Sequence, residues 1–291
     1  MTISSRIEAR LTELGLPPLP EPLPRPVIDS HTHLDAVVVK TKLSPSDNLS
    51  AGAAVGVDRV VQIGCDLASS GWAVDFAATH PSVVAAVAIH PNDAARLSDA
   101  ELLPQLDEIA TLADSSPNVR AIGETGLDYF RTTDTEGRAR QRRSFAAHIA
   151  IAVAQGLTLA VHNRDSFVDL LSVLDQAPDQ PERVIMHCFS GDADFASQCL
   201  ERGYWLSFPG TVTFANAGDL RAALAITPID KLLVETDAPY LTPVPARGRP
   251  NASYLVPHTV RFIATQRGIE LAHLCDALTA NAETAYGGSW G

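Results

Sequence analysis

The sequence predicts an α/β protein, a single-domain (β/α)8 barrel of the TIM type, and three observations carry that expectation. Apolar, strand-like runs recur at 27–32, 58–63, 83–89, 119–124, 157–162, 183–187, 204–208 and 231–236, with longer helix-like segments between them. Eight such alternations without an internal proline-rich linker are the pattern of a closed parallel barrel. The length, 291 residues of which 46% are hydrophobic, suffices for one large barrel with a sizeable core. Polar residues able to bind metal sit at the ends of the runs, where a barrel places its active site. The competing architecture is an open doubly wound sheet, but no GxGxxG turn follows the first run to support a dinucleotide fold.

The elements follow in chain order. Residues 1–26 form an N-terminal extension, with a short amphipathic helix expected over 3–14. From Leu16 to Pro26 there are six prolines, giving an extended, semi-rigid segment. The extension is expected to lie on the barrel, which occupies residues 27–291. Helix-like segments are read at 68–79, 100–113, 136–155 and 166–174. Longer loops at 128–135 and 242–254 would form the rim at the C-terminal ends of the strands.

Composition narrows the function. A net charge of −12 argues against a protein held to nucleic acid mainly by its own basic surface. It leaves a nuclease open, because bound metal supplies positive charge outside that count. Cys65, Cys188, Cys199 and Cys275 are scattered with no CxxC spacing, so reduced thiols are expected instead of a disulfide framework or a structural zinc site. No signal peptide is read at the N-terminus. The longest apolar-rich run, 149–161, is interrupted by Gln155 and Gly156 and is too short to span a bilayer. A soluble, cytoplasmic protein is the expectation, with no membrane association and no standing protein partner.

The chain is organised around Val27-Ile28-Asp29-Ser30-His31-Thr32-His33-Leu34-Asp35. Side chains alternate along a strand, so His31 and His33 share a face about 7 Å apart. Two imidazoles converging from one strand end make half of a divalent-metal site. Asp29 shares their parity and could buttress an imidazole. Further along, His90 ends the third run, Glu124 the fourth, His162 the fifth and His187 the sixth, while Asp237 follows the eighth. Ligand-type residues on so many strand ends are hard to explain as packing.

With these residues in place, the chain resembles the TatD family of metal-dependent deoxyribonucleases, within the amidohydrolase-like metal-dependent hydrolases. The matching motifs are Asp29-Ser30-His31-Thr32-His33, Ile89-His90-Pro91, Gly123-Glu124-Thr125-Gly126-Leu127-Asp128-Tyr129, Val161-His162-Asn163-Arg164-Asp165, His187-Cys188-Phe189-Ser190-Gly191 and Glu235-Thr236-Asp237-Ala238-Pro239-Tyr240-Leu241-Thr242-Pro243. They run in family order from residue 27 to about residue 286, weak singly and specific together. The resemblance implies two divalent metal ions, one held by His31 and His33 with Asp237, the other by His162 and His187, with Glu124 bridging. Water activated by the metals would be the nucleophile, and Asp237 would accept its proton. Histidine-rich ligation suits zinc, manganese or iron, whereas the family is described as magnesium-dependent.

The implied activity is hydrolysis of DNA phosphodiester bonds by an exonuclease, on single strands or frayed ends, with DNA as a transient partner. The alternative is a hydrolase of another ester or amide bond, including deacylation of aminoacyl-tRNA. An inactive binding scaffold is disfavoured by the complete ligand set. Four further residues are candidates for substrate binding. His90 could touch phosphate or sugar, or could serve as a supporting histidine. Arg164 could clamp phosphate, or pair with Asp165. Arg247 and Arg249, on the loop after the eighth run, are placed to meet a nucleic-acid backbone. Arg138, Arg140, Arg142 and Arg143 read as a solvated helix face, Glu235 equally as a residue orienting a ligand or as a paired interior carboxylate, and His80, His148, His258 and His273 as structural. Asn251-Ala252-Ser253 departs from the family's usual Asn-Glu-Pro, which would affect contacts at the edge of the substrate.

Overall fold

A computed structural model describes residues 3–291 of the chain. The strands are β1 Val27–Thr32, β2 Val57–Ile63, β3 Val83–Val87, β4 Val119–Asp128, β5 Thr158–Arg164, β6 Val184–Met186, β7 Trp205–Phe208 and β8 Leu232–Val234. They form one eight-stranded sheet in chain order. The pairings β3–β4, β4–β5, β5–β6 and β7–β8 are parallel. Beyond β8 the chain returns to β1 through a parallel bridge between Thr32 and Ala238. With helices between successive strands, this is the expected TIM barrel.

By its internal contacts the chain divides into two compact units. One holds the sequence up to Val61, Asp192–Leu200 and Leu206–Ala282; the other holds Gln62–Gly191, Glu201–Trp205 and Glu283–Gly291. In the first, all six residues of β1 are buried, as are all of β7 and β8. The extension belongs to this unit. Its helix, Ile3–Glu13, buries Ile7 and Leu11, and Leu16 and Leu23 follow them out of solvent. Leu23 donates its N–H to the Val55 carbonyl at 3.0 Å. The Tyr254 hydroxyl donates to the Pro17 carbonyl at 2.9 Å, so the proline-rich segment is tied down along its length.

In the second unit, β3 is the fully buried run Val-Val-Ala-Ala-Val, as expected for a strand covered on both faces. Its helices begin where the sequence supplies caps. Asp66 forms a capping box with Ser69 ahead of Leu67–Thr79, and Asp134 accepts from the Gly137 N–H ahead of Thr135–Gln155. Helix Thr135–Gln155 is fastened to the chain just beyond β3 by His148, whose Nε2 accepts the Ile89 N–H at 3.1 Å while Nδ1 lies 2.8 Å from the Ser144 carbonyl. His148 is therefore structural, as expected, and burial pushes its pKa down to about 4.

The main departure from expectation is β4. The sequence suggested a strand ending at Glu124 and a rim loop starting at Asp128, but β4 continues to Asp128. The two glycines that interrupt its apolar pattern explain the difference. A Cβ on Gly123 would lie 2.5 Å from the Ala160 Cβ, and one on Gly126, whose φ is +140°, would lie 2.0 Å from the His162 carbonyl oxygen. The glycines thus mark a close approach of β4 to β5, not a turn. The β4–β5 register shifts between Ile122 and Thr125, an irregularity that aims Glu124 where strict alternation would not.

Candidate metal centre

In the first unit, β1 delivers His31 and His33, both buried, with rings meeting edge to face at 5.1 Å. Asp237 adopts a left-handed backbone (φ 52°), and its N–H donates to the His31 carbonyl at 2.9 Å. Its Oδ1 then lies 3.4 Å from His33 Nε2 and 3.9 Å from His31 Nε2. Asp29 does not buttress an imidazole ring. Its Oδ1 accepts from the Thr236 N–H at 2.8 Å and its Oδ2 from the Thr236 hydroxyl at 2.7 Å, clasping β1 to the turn that carries Asp237. Burial pushes the Asp29 carboxyl up to about 7, aided by the charge of Glu235 and opposed by hydrogen bonds from Thr236 and Ser253. Asn251 supports the same turn, its amide donating to the carbonyls of Thr236 (2.9 Å) and Tyr240 (2.6 Å). Asn251 is the residue this triplet shares with the family's Asn-Glu-Pro; of the two that depart, Ser253 meets the Thr32 hydroxyl at 3.4 Å.

In the second unit, three imidazoles converge on one carboxylate oxygen. Glu124 Oε1 lies 2.6 Å from His162 Nδ1, 2.9 Å from His187 Nε2 and 3.4 Å from His90 Nε2. The Cys65 thiol stands 3.8 Å from Oε2. Burial works against ionisation of Glu124, but the charges of His187 and His90 and the hydrogen bonds from His162 and His187 prevail, holding the carboxyl well below its usual range. His162 is likewise desolvated, yet Asp128 and Glu124 raise its pKa. His90 was read as a possible substrate contact; the structure turns it inward. Its Nδ1 accepts the Asn92 N–H at 3.1 Å, which leaves the ring proton on Nε2, facing Glu124.

Asp128 and Cys65 belong to this group and the sequence reading missed both. Asp128 is buried, 3.4 Å from His162 Nε2, and accepts from the Asn92 amide and the Arg131 N–H, each at 2.9 Å. Burial opposes its ionisation, but the bonds from His162, Arg131 and Asn92 outweigh that and keep its carboxyl far below the ordinary value. The available signal was its place with Glu124 in the single motif at 123–129.

These donors suit a divalent cation. Imidazole nitrogens and carboxylate oxygens are the ligands such ions take, and a 5%-exposed carboxylate facing three imidazoles is a pre-formed cluster of such donors. Within the second unit, ligand atoms of His90, Glu124 and His162 all lie within 4.8 Å of one another. His31, His33 and Asp237 offer the same chemistry in the first.

The family described as "TatD related DNase" matches residues 28–287. The chain belongs to the TatD family. It is a metal-dependent hydrolase of that family, and it is 41% identical over 267 residues to the uncharacterized metal-dependent hydrolase TatD of Mycobacterium tuberculosis, covering 91% of this chain and 99% of that one. It is 37% identical to the 3'-5' ssDNA/RNA exonuclease TatD of Cronobacter turicensis, over 79% of this chain and 86% of that protein. The crystal structure of YJJV, a TatD homolog from Escherichia coli K12, superposes with a TM-score of 0.82 at 25% identity, covering 90% of this chain and 98% of that one.

The arginines have separate fates. Arg247 lies 4.0 Å over the ring of Phe214, and Arg164 lies 3.8 Å over that of Phe130 without the ion pair to Asp165 that was considered for it. Arg249, expected at the substrate, instead donates to the Gly15 carbonyl and so holds the extension. The cluster on helix Thr135–Gln155 is not simply solvated. Arg138 bonds the Thr132 carbonyl, Arg140 the Ala95 carbonyl, Arg142 the Tyr129 hydroxyl and Asp169, and Arg143 Asp99. None of the four cysteines is in a disulfide, and among the described residues no helix is long and apolar enough to cross a membrane.

Proposed function

We propose that this TatD-family protein is a deoxyribonuclease, acting in the cytoplasm as an exonuclease on DNA, its transient substrate. The observation that carries the reading is the Glu124 carboxylate ringed by His90, His162 and His187, a cage with no use in packing. In this reading two divalent cations would be held by His31, His33 and Asp237 and by His162 and His187, with Glu124 as the shared ligand. When bound, such a pair lowers the pKa of water and offsets charge on a phosphoryl oxygen.

The protein's own residues do the rest. Hydrolysis joins a water oxygen to phosphorus and breaks the phosphorus–oxygen ester bond. Asp237, its carboxylate partly open to solvent, accepts the proton released by that water, and the leaving oxygen takes up a proton in turn. The Asp29–Thr236 clasp and Asn251 hold the Asp237 turn in place for this transfer, and Asp128 fixes the ring of His162. Arg247 supplies a screened contact to the phosphate backbone. The name of the Cronobacter relative supports a nucleic-acid substrate.

The test is one panel on metal-reconstituted protein, comprising labelled single- and double-stranded DNA, RNA, a generic phosphodiester and an aminoacyl ester. Release of mononucleotides from DNA is the expected result. Hydrolysis of the aminoacyl ester alone would replace this reading with deacylation.

A further inference from the structure

Beyond Asp128 and His162, at the end of β5 and in the turn after β4, the protein exposes an arginine lying over an aromatic ring. Register pairs Gly126 with His162 and Asp128 with Arg164, so Arg164 shares the strand face of His162 and lies about 7 Å beyond it. Phe130 follows Asp128 by the same two residues, held near β5 by the Tyr129 N–H, which donates to the Arg164 carbonyl at 2.8 Å. The Arg164 guanidinium lies 3.8 Å over the Phe130 ring. Phe130 is nonetheless 56% exposed, and Arg164 is exposed as well. Among the described residues no carboxylate pairs with Arg164, unlike nearby Arg142, which meets both Asp169 and the Tyr129 hydroxyl.

A planar cation with no carboxylate partner, lying over an open aromatic ring, is a surface on which nucleobases stack. A base lies several ångströms from its own phosphate, which matches one pleat between this pair and the Glu124 cage. Bases in a duplex already stack on each other, so only an unpaired base can use it. We propose that Phe130 and Arg164 form a stacking platform for an unpaired base of a single-stranded nucleic acid whose phosphate reaches the His162–Glu124 group. The proposal rests on the nuclease reading above and deepens it, since it makes the protein sense strandedness through the base instead of through charge.

The experiment measures binding to metal-loaded protein of three phosphorothioate-linked oligomers, which resist cleavage. These are a single-stranded oligothymidylate, an abasic strand of the same length and a blunt duplex. The native protein should prefer the base-bearing strand to the abasic one by about tenfold or more. Phe130→Ala should bring that ratio close to one, Phe130→Trp should keep it, and Arg164→Lys, which retains charge but loses the plane, should lower it. An unchanged ratio in Phe130→Ala overturns the platform. So does equal loss in Phe130→Trp accompanied by a lower melting temperature, because damage to the loop would then explain both variants. The two readings fail separately. Base preference without hydrolysis of any nucleic acid sinks the nuclease reading, whereas hydrolysis without base preference sinks the platform alone.

Discussion

Glu124 concentrates the chemistry of the second unit in one side chain. Each of the three imidazole nitrogens around its Oε1 can face that oxygen comfortably only if it carries a proton or shares a cation with it. Glu124→Gln keeps the shape and removes the charge, so at least one metal should bind much more weakly and the hydrolytic rate should fall by roughly 100-fold or more. Metal stoichiometry, melting temperature and rate, measured on one preparation, decide the matter. Full occupancy with a near-normal rate would reduce Glu124 to a loop-capping residue. The resemblance to the TatD family pointed to Glu124, His162, His187, His31, His33 and Asp237 as ligands. It did not reveal that His90 turns inward or that Asn251 carries the Asp237 turn, because both depend on hydrogen bonds to backbone atoms that no motif encodes.

Two predictions belong to single elements. Gly126 lets β4 approach β5 so closely that a methyl group has no room, and its φ of +140° is one that other residues rarely adopt. Gly126→Ala should therefore cost about 2–3 kcal/mol or prevent folding, read as a lower urea midpoint, and it should displace His162 enough to lower metal affinity. An unshifted midpoint would show that the strands can part freely. This close approach also explains why the end of β4 was not legible in the sequence. A glycine in an apolar run signals a turn and a tight contact equally well, and only the neighbouring strand distinguishes them.

The second concerns the fastening of helix Thr135–Gln155 by His148 to Ile89, just beyond β3. Its folded pKa, about 4, lies below that of the unfolded chain, so the folded state resists a proton that the unfolded state takes up. Stability from this residue is complete above about pH 6.5 and is lost as pH falls toward 4, by about 3 kcal/mol at most. Asp29 works in the opposite sense. With its carboxyl pushed up to about 7, its contribution falls as pH rises from about 4 to 7. The total therefore hides both effects, and the comparison to make is denaturant stability at pH 7 and pH 4.5 in native protein and His148→Gln. The native protein should lose more on acidification than the variant; equal losses would mean that His148 titrates normally.

At the scale of the molecule, the alternation of eight apolar runs was enough for the barrel, since strand order and length follow from covering a parallel sheet with helices. The extension was legible as a helix and a proline-rich strap, but its attachments were not, because they are made to carbonyl oxygens. Tyr254→Phe removes the donor to the buried Pro17 carbonyl and should cost about 1 kcal/mol, a fall of roughly 2 °C in Tm, with faster proteolysis between residues 1 and 26. Unchanged cleavage there would show that the hydroxyl does not secure the strap.

Those attachments carry a further implication for how such a protein can diverge. Arg249 grips Gly15, Tyr254 grips Pro17, and Arg261 grips Glu21 and Pro22, chiefly through the main chain, with the Glu21 carboxylate 3.8 Å from Arg261 besides. Apart from the anchors Leu16, Pro17 and Leu23, the strap presents half-buried or exposed side chains to its surroundings. A segment held by its backbone can exchange those side chains freely while keeping its path, provided its prolines keep it extended. Mutations can therefore accumulate in the strap at little cost in stability, while Arg249, Tyr254 and Arg261 remain constrained. Homologues that lack the strap would be released from that constraint at the same three positions.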